Sequence, residues 1–71
     1  MTQIAKVIEL VGSTDKSWKD ATQVALTEAT KTIHGIVWIK LTDVNAKVDP
    51  NSGKITEYHS TVRIAFEVDR S

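Results

Sequence analysis

The chain has 71 residues, nine basic against nine acidic, two histidines and no cysteine. A domain this small buries a low fraction of its surface and usually needs disulfides, a metal or oligomerisation to help it; without cysteine, and with His34 and His59 forming no ligand spacing, oligomerisation is the supplement left. Balanced charge supplies no field to draw nucleic acid or an anionic membrane, and no apolar stretch approaches the ~20 residues that span a bilayer. Met1 to Leu10 lacks the basic region, apolar run and cleavage site of a secretory signal. The expectation is a soluble, cytoplasmic chain, a single domain over residues 1–71, with neither nucleic-acid nor membrane partners.

Ile4 to Val11 has the composition of a strand, and Gly12-Ser13-Thr14-Asp15-Lys16 reads as the turn that ends it. Ser17 and Asp20 form a capping-box-like pair at the start of a helix. Trp18, Ala21, Ala25, Ala29 and Ile33 recur at three- and four-residue spacing as its buried stripe, so Trp18 is expected in the core. Alanines on that stripe permit close approach to a sheet, while Thr22, Thr27, Thr30 and Thr32 are poor helix formers that tertiary packing must hold in place. Gly35 suits the left-handed residue that commonly ends a helix.

A second strand runs from Gly35 to about Val48. Strand alternation puts Val37, Ile39 and Leu41 on one face and Trp38, Lys40 and Thr42 on the other. Asp49-Pro50-Asn51-Ser52-Gly53 is the strongest turn signal in the chain, and a third strand follows from Lys54 to about Asp69. Its even face carries Tyr58, Val62, Ile64, Phe66 and Val68; its odd face carries Glu57, His59, Thr61, Arg63, Ala65 and Glu67.

A four-residue loop from Pro50 to Gly53 pairs Asp49 with Lys54. Val37, Ile39 and Leu41 then lie beside Val62, Ile64 and Phe66 as one apolar face for the helix, and Trp38 shares the other face with Ala65, Arg63, Thr61 and His59. Without a bulge this register puts Asp43 and His59 on opposite faces, and assigns Val44, Ala46 and Val48 to the side without the helix. The fold class is therefore α+β, ordered β-α-β-β, with one helix covering one side of a three-stranded antiparallel sheet. An uncovered sheet face bearing a tryptophan is the kind of surface that meets another subunit or a ligand. No serine or cysteine nucleophile stands with a base, so no enzyme is expected; His34 has no chemical role, and Glu57 and Arg63 read as ion-pairing residues.

The chain resembles the dodecin family. The matching residues are Lys6-Val7-Ile8-Glu9-Leu10-Val11-Gly12, Ser17-Trp18-Lys19-Asp20-Ala21, Val37-Trp38, Asp43, Glu57-Tyr58 and Val62 to Asp69, an ordered set that covers essentially the whole chain. The resemblance implies a sheet wrapped around its helix and a homododecamer forming a hollow shell. It also implies flavin, riboflavin or FMN, bound at subunit contacts with each isoalloxazine stacked on a tryptophan, for storage or sequestration. Trp38 aligns with that tryptophan, and the resemblance makes Asp43, Asn45 and His59 further flavin contacts. His59 stands where many members carry a glutamine that grips the polar edge of the ring, and a neutral imidazole offers one donor and one acceptor. Asn45 stands where many bacterial members carry an arginine, and lacks the charge-assisted grip on a phosphate. These departures leave an alternative: a structural shell without flavin, in which Trp38 anchors an interface.

Overall fold

The computed structural model describes residues 4–68. Four elements follow in the expected order: β1 (Ile4–Thr14), α1 (Trp18–Thr30), β2 (Ile36–Val48) and β3 (Ile55–Val68). The strands form one antiparallel sheet ordered β1-β3-β2, so the last strand is central and the other two are edges. Asp69, the expected end of the third strand, lies outside the described residues.

The first strand is longer than its sequence signalled. It continues through Gly12, which pairs with Ser60, as far as Thr14 opposite Tyr58. Gly12 is not a turn residue: a Cβ built there would stand 2.0 Å from the carbonyl oxygen of Ala21. What read as a breaker is a point of close approach between strand and helix backbones, a use of glycine that needs no special dihedral. The helix meets this site with its alanines, and Ala21, Ala25 and Ala29 are buried.

Ser17 caps the helix as expected, its Oγ accepting from the backbone N–H of Asp20 at 3.0 Å. The helix ends at Thr30, earlier than Ile33, with Lys31 as its C-terminal cap and the Ile33 N–H still donating to the Ala29 carbonyl at 2.9 Å. Gly35 has the anticipated positive φ of 77°. It lies four residues past the cap, however, and its carbonyl accepts from the Glu67 N–H, so it launches β2 rather than terminating the helix.

The β2–β3 hairpin closes as the turn signal required. Asp49 N–H donates to the Lys54 carbonyl and Gly53 N–H to the Asp49 carbonyl, each at 2.8 Å, and the Asp49 carboxylate accepts from the Asn51 N–H and the Ser52 hydroxyl. From Trp38 to Leu41 the register is the expected one: Trp38 opposite Ala65, Ile39 opposite Ile64, Leu41 opposite Val62. On either side of that segment the ladder slips by one residue, at Val37 and at Thr42, and a further irregularity lies between Lys47 and Val48.

These bulges correct the face assignments. An extra residue in one strand inverts the alternation beyond it. Ile36, opposite Phe66, packs on the core in place of Val37, which is exposed. Val44 and Ala46 pair with Ser60 and Tyr58 on the helix side; Val48 lies beyond the further irregularity, opposite Ile55. The core itself is Ala25, Ala29, Val62 and Ile64, with Ile8, Leu10, Leu26, Ile33, Ile36 and Ile39 packed around it. A buried polar link crosses it, Ser60 Oγ to Thr22 Oγ1 at 2.8 Å. Thr22 in turn donates to the Trp18 carbonyl, so the Ser60 hydroxyl supplies the proton between the two side chains. Burial without such a partner would be costly.

The helix lies over β1 and β3 and leaves much of the β2 edge uncovered; Leu41, on the helix side, is half exposed. The chain extends 57 × 20 × 13 Å with a radius of gyration of 15.1 Å, against about 11 Å for a compact globule of this length.

Candidate functional site

The open face of the sheet is built from the odd residues of β1 and β3 and, between the bulges, the even residues of β2. Across it the residues fall into rows. One row is Val7, Ala65 and Trp38; the next is Glu9, Arg63 and Lys40; a third is Val11, Thr61 and Asp43; the fourth is Ser13, His59 and Asn45.

Trp38 is where alternation puts it, on this face, and it is 49% exposed. Its cross-strand partner Ala65 is fully buried although no helix covers it, because Val7 and Trp38 flank it on both sides. The exposed apolar area of this row is therefore the indole and the Val7 side chain. In the next row the Arg63 guanidinium donates from Nε to Glu9 Oε2 at 3.3 Å, an ion pair with both partners largely exposed, and such pairs contribute little to stability.

Asp43 and Asn45 reach the open face because of the bulge at Thr42. In an unbroken register both would point towards the helix. With the slip, Asp43 stands opposite Thr61 and Asn45 opposite His59, which overturns the expectation that Asp43 and His59 lie on opposite faces. The Thr42 hydroxyl donates to the Thr61 carbonyl at 3.3 Å, tying the bulged residue to the central strand. Trp38, Asp43, Asn45 and His59 therefore share one face, in three rows of it. His59 Nε2 lies 2.9 Å from Glu57 Oε1, both side chains partly covered.

Trp18, expected in the core, is 38% exposed. Its ring meets Tyr58 edge-on, with centroids 4.9 Å apart and planes at 82°, and its Nε1–H donates to the Asn45 carbonyl at 2.9 Å. Sequence reasoning assigned Trp18 to packing and gave it no link to β2. The structure makes it the clamp that holds the post-bulge half of β2 from the helix side.

Two concavities lie on the helix side of the sheet. One runs between β1 and α1, lined by Leu10, Val24, Ala25 and Ile33; another lies between α1 and β2, lined by Trp18, Leu26, Ile39 and Leu41. Trp38 borders neither. Among the described residues no three histidine, aspartate or glutamate side chains group to hold a metal ion, and no helix is long and apolar enough to cross a membrane.

One helix laid on a three-stranded antiparallel sheet ordered β1-β3-β2, with the other face open and tryptophan-bearing, defines a small α+β domain of β-α-β-β topology. The chain belongs to the dodecin family, whose model matches residues 4–69. It is 24% identical to a dodecin of Thermus thermophilus over 71 residues, the whole of both chains. Among solved structures, a Thermus thermophilus protein superposes with a TM-score of 0.90 at 23% identity, covering 99% of this chain and 100% of its own. A calcium-chelating dodecin of Mycobacterium tuberculosis, described with a calcium-binding site, superposes at 0.79 with 26% identity over 96% of this chain and 94% of its own.

Proposed function

We propose that this protein binds flavin, riboflavin or FMN, and stores or buffers it in the cytoplasm without catalysing a reaction, the isoalloxazine stacking on Trp38 at a contact between copies of the chain. The observation that carries this reading is the half-exposed indole on the uncovered sheet face, in a chain of the dodecin family. The residues fit such a ligand. Trp38 offers a planar surface; Asp43 and Asn45 stand further along the same face as polar partners for the ribityl chain, and His59, three rows and about 20 Å from Trp38, reaches the polar edge of a ring stacked on the Trp38 of a neighbouring copy. Offset stacking of aromatic planes is worth roughly 0.5–1.5 kcal/mol beyond the area buried, and an electron-rich indole in contact with an excited flavin quenches it by electron transfer.

A ligand on an open sheet face gains little unless a second surface closes over it, since small-molecule sites bury most of their ligand. The elongated chain and its uncovered apolar side chains support association into a homo-oligomer, the dodecamer of the family resemblance, in which a neighbouring copy provides that second surface. Titrating riboflavin or FMN into the purified assembly tests the reading. Strong quenching of flavin emission with a saturable end point is expected, and unchanged emission overturns it.

The second reading is a structural shell in which Trp38 packs between copies. It is favoured by the apolar row of Val7, Ala65 and Trp38. On this reading Trp38→Ala would break the assembly, which sedimentation detects, and wild-type protein would not bind flavin.

A further inference from the structure

We infer that Glu57 fixes His59, a residue of the open face, as a hydrogen-bond acceptor, so that the site selects a flat heterocycle presenting an imide N–H, a specificity that rests on the flavin reading above. An ionised carboxylate can only accept. The 2.9 Å contact between His59 Nε2 and Glu57 Oε1 therefore requires the proton of a neutral imidazole to sit on Nε2, which leaves the lone pair on Nδ1. The cross-strand neighbours of His59 are Ser13 and Asn45, both uncharged; of the charged groups on this face, Lys47 stands opposite Glu57 and Asp43 one row away, diagonal to His59, and Glu57 is the one in hydrogen-bond contact with the imidazole. Glu57 is thus the group that dictates the tautomer.

An acceptor nitrogen complements one part of the isoalloxazine edge, the N3–H between its two carbonyls. It repels the carbonyls themselves. A glutamine at this position could turn its amide to satisfy either; the histidine locked by Glu57 cannot. The specificity is set by a side chain that need not touch the ligand, which makes Glu57 a positioning residue and His59 the contact.

Two measurements test this. With two histidines in the chain, long-range proton–nitrogen correlation spectra of the ligand-free assembly read the tautomer directly. In its neutral form, which the same spectra identify, His59 should carry its proton on Nε2. In Glu57→Gln, whose amide can donate as well as accept, that preference should weaken. Riboflavin and N3-methylriboflavin are then compared by fluorescence titration. Loss of the N3–H should weaken binding to the wild type roughly tenfold or more, and Glu57→Gln should bring the two affinities several-fold closer together. A purely steric effect of the methyl group would persist unchanged in Glu57→Gln and would overturn the inference, as would a His59 protonated on Nδ1 or equal binding of both flavins by the wild type. If neither flavin binds, the flavin reading itself fails, while the spectra still decide the tautomer.

Discussion

The two tryptophans sit on opposite faces of the same sheet and are held in different ways. Trp18 is fixed on three sides: it begins the helix, meets Tyr58 edge-on and donates its indole N–H to the Asn45 carbonyl. Trp38 stands on the open face with no hydrogen bond or ring contact among the described residues, beside Ala65 and half exposed. Buried or partly buried tryptophan usually finds a partner for its N–H, and Trp18 follows that rule. The contrast separates a tryptophan that holds a strand from one that the described residues leave half uncovered.

Substitutions on the covered face should lower stability without touching Trp38. Ile64→Ala removes a fully buried side chain from the centre of the core and should have the largest effect, about 2–5 kcal/mol, read from the shift of the denaturant midpoint. Gly12→Ala forces a methyl group against the Ala21 carbonyl, where neither backbone can yield cheaply; a loss of about 1–3 kcal/mol is expected by the same measurement. A Gly12→Ala protein as stable as the wild type would show that the helix does not sit this close to β1.

The smallest of these effects sharpens the comparison most. Trp18→Phe keeps an aromatic ring against Tyr58 and removes the donor to the Asn45 carbonyl. It should lower stability by about 0.5–1.5 kcal/mol and speed amide exchange in β2 beyond Thr42 more than in β3. Equal exchange changes in both strands would mean that the indole N–H does not clamp that segment.

Much of this arrangement was legible in the residues. The Asp49 to Gly53 turn fixed the hairpin, and the hairpin placed Trp38 opposite Ala65. Two features escaped. Gly12 followed by Ser13 and Thr14 reads as a chain break, yet a glycine used for close packing leaves the same mark as one used for a turn; the alanines at 21, 25 and 29 were the clue to which it was. The bulge at Thr42 has no glycine to announce it. Its signal was the apolar phase of β2, which runs on odd numbers through Ile39 and Leu41 and on even numbers through Val44, Ala46 and Val48. A strand whose alternation changes phase must bulge or cross the sheet. That phase change is what brings Asp43 and Asn45 onto the face of Trp38. The Trp18 clamp had no counterpart in the sequence pattern, because it depends on where the bulges leave the register; the Glu57–His59 contact joins two residues that alternation had already put on one face.

The central claim is that flavin stacks on Trp38, and the most direct test is riboflavin titration of the wild type and Trp38→Ala side by side, with sedimentation confirming that both assemble alike. The account predicts strong emission quenching by the wild type and an affinity at least roughly tenfold weaker for Trp38→Ala, as expected on truncating an aromatic anchor, with most of the quenching lost. An assembled Trp38→Ala protein that binds and quenches riboflavin like the wild type would contradict it.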